Sequence, residues 1–308
     1  MAKKRAIGAV AALALGILFA TGGAQAADTV RVSSKLDAES GLLGTMILQV
    51  LEANGIPTEN KVQLGPTKIV RSALLAGEID IYPEYTGNGA FFFNIDSDPA
   101  WKNARAGYEK VRQLDQEKNN IVWLKPAPAN NTWAIALRRD VASPNKLSTM
   151  EDFARWVKDG GKAKIAASAE FVESPAALPS FQSTYGFTLK PEQILVLAGG
   201  DTAATIRAAA EGTSGVNTAM VYGTDGAIAA PDLAVMQDTK GAQLVYEPAP
   251  TVRAAVLEKN PKIREVLDPV FASLDTETLR SLNAKISVEG QDPKQVATTY
   301  LKSKGFLK

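Results

Sequence analysis

Short β-branched or apolar runs alternate along the chain with longer stretches whose apolar residues recur every three or four positions. The first kind predicts strands and the second helices, and their alternation predicts an α/β fold with largely parallel sheets. Residues 29–33 predict a first strand, and residues 41–53 a helix closed by Gly55 beyond Asn54. Residues 61–64 predict a second strand, and residues 67–76 a helix stopped by Gly77. Residues 79–82 predict a third strand that runs directly into a polar, aromatic loop, Pro83-Glu84-Tyr85-Thr86-Gly87.

Further on, residues 121–125 and 133–138 predict strands separated by the loop Pro126-Ala127-Pro128-Ala129-Asn130-Asn131. Ser148-Thr149-Met150-Glu151 has the spacing of a capping box, opening a helix that runs to Lys158 and ends at Gly160-Gly161. Residues 164–168, 194–197, 219–222 and 233–236 predict more strands, with a helix over 202–211. The tail is helical, with Pro261 and Pro293 at first helical positions. No change of composition marks a linker, which suggests two lobes joined by strands. A ligand site in such a chain is expected between the lobes, built from loops at strand ends.

The first 26 residues depart from this pattern. A basic start (Lys3, Lys4, Arg5), an apolar run to Ala20 and the close Ala24-Gln25-Ala26 form the layout of a secretory signal peptide, removed after Ala26. The apolar run is shorter than the roughly 20 residues needed to span a bilayer, and the chain has no Cys to carry a lipid. The expected mature protein is therefore exported, soluble and periplasmic. Losing three basic residues leaves 31 against 33 acids, a net charge of about −2. That balance argues against nucleic acid or anionic lipid as a partner.

The chain has neither His nor Cys, so the commonest catalytic bases, nucleophiles and soft metal ligands are missing. No cofactor and no metal site is expected. Glu84, between two tyrosines, could serve as a general base, and Asp201 and Asp225 sit in polar turns, but capping and loop-holding roles are favoured for all three. Gly199-Gly200-Asp201-Thr202 ahead of a helix is a weak anion-site signal without the nucleotide-binding glycine patterns. The aromatic residues are more informative. Tyr82 and Tyr85 flank Pro83-Glu84, Trp133 follows Asn130-Asn131-Thr132, Tyr222 precedes Gly223-Thr224-Asp225-Gly226, and Tyr246 precedes Glu247-Pro248-Ala249-Pro250. Aromatic faces hold cations that have no N–H to donate, each ring contributing about 0.5 to 2 kcal/mol. Any one ring taken alone is more readily explained by packing.

These segments, together with Val32-Ser33-Ser34-Lys35 and Gly77-Glu78-Ile79-Asp80-Ile81-Tyr82, carry a resemblance over essentially the whole mature chain. The sequence resembles the substrate-binding proteins of osmoprotectant ABC transporters for glycine betaine and choline, in their OsmF/YehZ branch. The resemblance implies a type II periplasmic-binding-protein fold, with two α/β lobes, two strand crossovers and a ligand cleft between the lobes. Lobe I would comprise residues 27–133 and 245–308, and lobe II residues 134–244. It implies a cage of Tyr85, Trp133, Tyr222 and Tyr246 around a quaternary ammonium group, with Trp133 where many relatives have Tyr. Tyr82 and Phe171 are the runners-up near the cage.

Relatives hold the carboxylate of betaine with Lys, Thr and Arg. Lys35 matches the first, Asn88 stands at the Thr position, Asn131 is a further polar contact, and Ser174 falls where the Arg is expected. Without a bidentate clamp, glycine betaine is expected to bind weakly for the family, or choline or another quaternary amine to be the ligand. The implied partners are a membrane permease and its ATPase, with the receptor a monomer. An enzyme using Glu84 or Asp225 and a ligand sensor for a periplasmic receptor are the competing functions.

Overall fold

The computed structural model describes residues 29–197, 202–228 and 232–308. The expected signal peptide and the Gly199-Gly200-Asp201 turn lie outside the described residues. Among the described residues ten strands follow in order: β1 (Val30–Lys35), β2 (Thr58–Gly65), β3 (Ile81–Tyr85), β4 (Ile121–Trp123), β5 (Trp133–Arg138), β6 (Ile165–Ser168), β7 (Ile194–Leu197), β8 (Thr218–Tyr222), β9 (Leu233–Val235) and β10 (Pro248–Arg253). They form two five-stranded sheets, ordered β2-β1-β3-β10-β4 and β7-β6-β8-β5-β9.

The sheets share one plan. In each, the fourth strand is antiparallel to its neighbours: β10 to β3 and β4, β5 to β8 and β9. Each is also the first strand after the chain crosses from the other sheet. A strand entering from the side where its neighbours end must run against them, so the crossings and the strand ends gather along one edge. The two crossing segments lie side by side, with Asn131 N donating to Tyr246 O (3.0 Å), Tyr246 N to Asn130 Oδ1 (2.8 Å) and Thr132 Oγ1 to Leu244 O (2.7 Å). This is the expected architecture of two α/β lobes with two crossovers. Trp133 is already the first residue of β5 in the second sheet.

Helices cover both faces of each sheet, so the inner strands β1, β3, β6 and β8 are buried on both sides, while the edge strand β2 stays largely exposed. One face of the first sheet buries Val32, Ile81 and Val252 against the Ala38–Ala53 helix and the C-terminal helices. The other buries Tyr82, Trp101 and Trp123. The second sheet has its own two layers, one around Phe153, Phe171 and Phe181 and one around Ile206 and Val221.

The elements differ from the expectation where proline or a buried charge governs. β3 begins at Ile81 and continues through Pro83 and Glu84 to Tyr85, where a loop was expected. The segment from Pro248, for which the sequence predicts no strand, forms β10. Pro83 pairs with Pro250 and Tyr85 with Pro248. Alternate antiparallel pairs exchange no hydrogen bonds, and proline, which has no N–H, fits at those pairs. The capping box sits one residue later than expected. Thr149 Oγ1 accepts from Asp152 N and the Asp152 carboxylate accepts from Thr149 N, both at 3.2 Å, while Glu151 accepts from the Thr239 hydroxyl. The Ala104–Asn119 helix was not anticipated, because its buried face holds only Gly107, Val111 and Asp115.

The Thr276–Ser287 helix lies against the second sheet's loop at Gly226–Ile228. A Cβ on Gly226 would stand 2.0 Å from Ala284 N, closer than any atoms approach without displacement. Gly226→Ala is therefore expected to force helix and loop apart at a cost of about 1 to 3 kcal/mol. A thermal melt would show this as a drop of several degrees, and an unchanged melting temperature would mean the helix steps aside freely. No helix among the described residues is long and apolar enough to cross a membrane.

Candidate functional site

The strand plan positions the site. Lys35 ends β1, Tyr85 ends β3 and Tyr222 ends β8, while Trp133 begins the antiparallel β5 and Tyr246 lies two residues ahead of β10. All five fall on the edges of the sheets that meet at the crossings, where open α/β sheets place ligands. They line one cavity of about 490 Å³ together with Thr67, Asn88, Phe91, Phe92, Asn131, Glu170, Ser174 and Ala176. A contiguous cavity of about 460 Å³ shares Lys35, Tyr85, Asn131 and Tyr222 and extends to Asp37, Glu39, Thr224, Asp225 and Asn283. A larger groove of about 830 Å³, lined by Arg139, Leu147, Glu277 and Arg280, brings no aromatic ring to its walls.

Local geometry explains the rings. Trp133 and Tyr222 are direct partners across β5 and β8, so their side chains share a face. The rings lie 6.4 Å apart at 21°, and Phe171 meets Trp133 edge-on from behind at 6.1 Å and 79°. Phe171 is fully buried and so acts as a support for Trp133 rather than as a wall. The Tyr246 ring packs on Gly87, where a Cβ would come within 2.7 Å of it. Burial raises the Tyr85, Tyr222 and Tyr246 phenols above the ordinary tyrosine range, so all three are neutral hydrogen-bond donors at neutral pH. Tyr82 faces the opposite side of β3, fully buried beside Trp101 and Trp123, with its hydroxyl donating to Glu84 Oε2 at 2.8 Å. It is not among the cleft-lining side chains.

The polar groups are tied together more than the sequence suggested. Lys35 Nζ pairs with Glu84 Oε1 at 2.5 Å and lies 4.5 Å from the centre of the Tyr85 ring. Glu84 is fully buried and also accepts from Tyr85 N (2.7 Å) and Asn88 Nδ2 (2.8 Å). Asn131 Nδ2 donates to Glu39 Oε1 at 3.1 Å, while its buried Oδ1 has no hydrogen-bond partner among the described residues. Ser174 follows the Ala169–Glu173 helix at the mouth of the cavity.

Glu39 was not singled out from the sequence. It lies in the first turn of a helix read as starting at Gly41, and the helix starts at Ala38, capped by Asp37. Phe91 and Phe92 were missed as well. Their one signal is an aromatic run, Phe91-Phe92-Phe93, in which Phe91 stays largely exposed at the cleft.

Comparison with known proteins identifies the assembly. Residues 28–303 match the family model for the substrate-binding domain of the ABC-type glycine betaine transport system. The chain belongs to this family. Among its relatives, the glycine betaine-binding protein YehZ of Escherichia coli is 60% identical over 284 residues, covering 92% of this chain and 93% of that protein. A glycine-betaine-binding protein of Pseudomonas aeruginosa is 31% identical over 96% of this chain and 94% of its own length. The solved structure of apo YehZ from Escherichia coli superposes with a TM-score of 0.82 at 59% identity, covering 91% of this chain and all of that one. Members of the glycine betaine transport family are transport receptors and not enzymes, which removes the catalytic reading of Glu84 and Asp225. Within the family, Glu84 serves here as a structural acceptor for four donors: Lys35, Tyr82, Tyr85 and Asn88.

Proposed function

We propose that this chain captures glycine betaine or a related quaternary amine, with the trimethylammonium group held by Tyr85, Trp133, Tyr222 and Tyr246. One observation carries the reading: four rings from four separate segments converge on a single cavity between the sheets. A trimethylammonium group offers no N–H, so ring faces, at about 0.5 to 2 kcal/mol each, are the complement it requires. Lys35, Asn88, Asn131 and Ser174 surround the other end of the ligand. The division into residues 27–133 with 245–308 against 134–244 makes the paired crossings the hinge about which the lobes close. The receptor works as a monomer in the periplasm and delivers its ligand to a permease and ATPase complex.

Choline, which has no carboxylate, is the second reading, and the Lys35–Glu84 pair favours it. A lysine already neutralised by a buried carboxylate attracts a second carboxylate less strongly. Calorimetric titration of the mature protein with glycine betaine, choline and carnitine tests the function, with glycine as the control. Saturable binding of at least one quaternary amine, absent for glycine, is expected. The absence of binding by all three would overturn the proposal.

Ser174→Arg tests the carboxylate end. The variant is expected to tighten glycine betaine about tenfold, since a charge-assisted hydrogen bond contributes about 1.5 to 3 kcal/mol before the cost of ordering the side chain. Choline affinity should change less than twofold. Equal changes for both ligands would remove position 174 from the carboxylate site.

A further inference from the structure

Glu39 joins five separate parts of the molecule. Standing at the start of the Ala38–Ala53 helix, its Oε1 accepts from the Tyr85 hydroxyl at 2.8 Å and from Asn131 Nδ2 at 3.1 Å. Its Oε2 accepts from Asn283 Nδ2 at 2.6 Å, and the same nitrogen donates to Thr224 O at 2.9 Å. Tyr85 ends β3, Asn131 lies in the first crossing, Asn283 belongs to the Thr276–Ser287 helix, and Thr224 follows Tyr222 in the second sheet's loop. One carboxylate thus reaches two of the four rings assigned to the cage, and it bridges the two sheets beside their crossings.

We propose that Glu39 is a positioning residue for ligand capture: its ionised carboxylate fixes the Tyr85 ring and, through Asn283, the loop carrying Tyr222, so that the cage is assembled only while Glu39 is charged. This rests on the reading of Tyr85 and Tyr222 as cage walls. The Tyr85 hydroxyl and the Asn131 and Asn283 amides all donate to the carboxylate, and a carboxylate in its ionised form only accepts. A proton on Oε2 would face the Asn283 N–H, and that amide cannot turn over without setting its oxygen against Thr224 O. A proton on Oε1 would compete with the Asn131 N–H. Donation by the Tyr85 hydroxyl to an anion also enriches the ring in electron density, which strengthens its hold on a cation.

The surroundings set where the change occurs. Burial, with a further push from Asp37, raises the Glu39 carboxyl to about 7 against hydrogen bonds from Thr224, Tyr85 and Asn283 that lower it. The other groups around it are Lys35 at the end of β1, Asp225 after β8, and the uncharged Asn131, Asn283 and Ser287. The raised carboxyl favours the folded state below its ordinary range, and this contribution is lost as the pH rises through about 7. Ligand affinity runs the other way. A bound cation favours the ionised form, and by reciprocity the ionised form favours the cation. The chain has no His, so few side chains compete as the source of a change in this range.

The test is calorimetric titration with tetramethylammonium and with glycine betaine from pH 5.5 to 8.5, on the mature protein and on Glu39→Gln. Wild-type affinity for both ligands is expected to rise about tenfold from pH 6 to pH 8 and then level off, following the ionised fraction. Glu39→Gln should bind weakly with no pH dependence, which separates Glu39 from Glu247, a second carboxyl raised by burial. A flat wild-type profile, or a folded Glu39→Gln protein that keeps the slope, would overturn the inference while leaving the cage reading intact. Failure of the wild type to bind any quaternary amine at any pH would overturn both. The wild-type profile decides the matter even where the variant does not fold.

Discussion

Asp115→Ala is expected to destabilise the protein by about 3 to 5 kcal/mol, the cost of leaving a buried charge without its partner. Asp115 is fully buried, and it receives both Arg71 Nη1 (2.8 Å) and Nη2 (2.6 Å), Trp123 Nε1 (2.7 Å) and Asn119 Nδ2 (2.8 Å). Alanine would orphan a guanidinium and an indole N–H in the core behind the cleft. The melting temperature should fall by about 10 °C, since each kcal/mol moves a domain of this size by about 2 to 4 °C. The Arg71→Met, Asp115→Leu double substitution removes both charges and should recover about half of the loss, because no buried charge is left unpaired while Trp123 Nε1 still lacks its acceptor. A fall under 2 °C for Asp115→Ala would show that the pair contributes little. Binding should weaken alongside stability: Arg71 also stacks on Phe92, 4.5 Å from its centre, and Phe92 lines the cleft.

The second large effect concerns the ligand directly. Trp133→Ala should weaken binding of quaternary amines about 30-fold, or about 2 kcal/mol, combining one ring's cation–π contribution with the lost apolar wall. The substitution also removes the partner of Tyr222 and leaves Phe171 facing an empty space. Because the indole would itself report binding, calorimetry rather than fluorescence must supply the dissociation constant. Trp133→Tyr, which keeps an aromatic face, should stay within about threefold of wild type. A change below threefold for the alanine variant would take Trp133 out of the cage.

The two effects arise in different layers. Asp115 secures the helix and the ring behind the cleft, whereas Trp133 stands at the cleft surface. Glu39 lies between them in kind, a buried charge whose partners include a cleft residue. Asp115 is held by a guanidinium, but Glu39 only by neutral donors. With no cation bonded to it among the described residues, burial raises the Glu39 carboxyl to about 7.

What was legible in the sequence follows from local physics. β5, β7 and the helices over Thr67–Ala76 and Thr202–Glu211 were readable because side chains alternate along strands and recur at 3.6 in helices, and because Gly77 stops its helix in the left-handed region. The lack of His and Cys narrowed the chemistry before any fold was known, and the family motifs carried the lobed architecture. β10 was not legible, since two prolines, Pro248 and Pro250, within the six residues after Glu247 look like a loop until β3 is set opposite them. Nor was the Ala104–Asn119 helix, whose buried Asp115 is intelligible only beside Arg71.

The sequence by itself determined the alternation of elements, the class of protein and the roster of aromatic residues. Tertiary structure decided which rings meet, that Lys35 is already paired with Glu84, and that Glu39 links the rings to the crossings. The physical reason is distance along the chain. Periodicity is written within a few residues, but Glu39 and Asn283 become neighbours only after both sheets have formed in register and the last helices have packed across them.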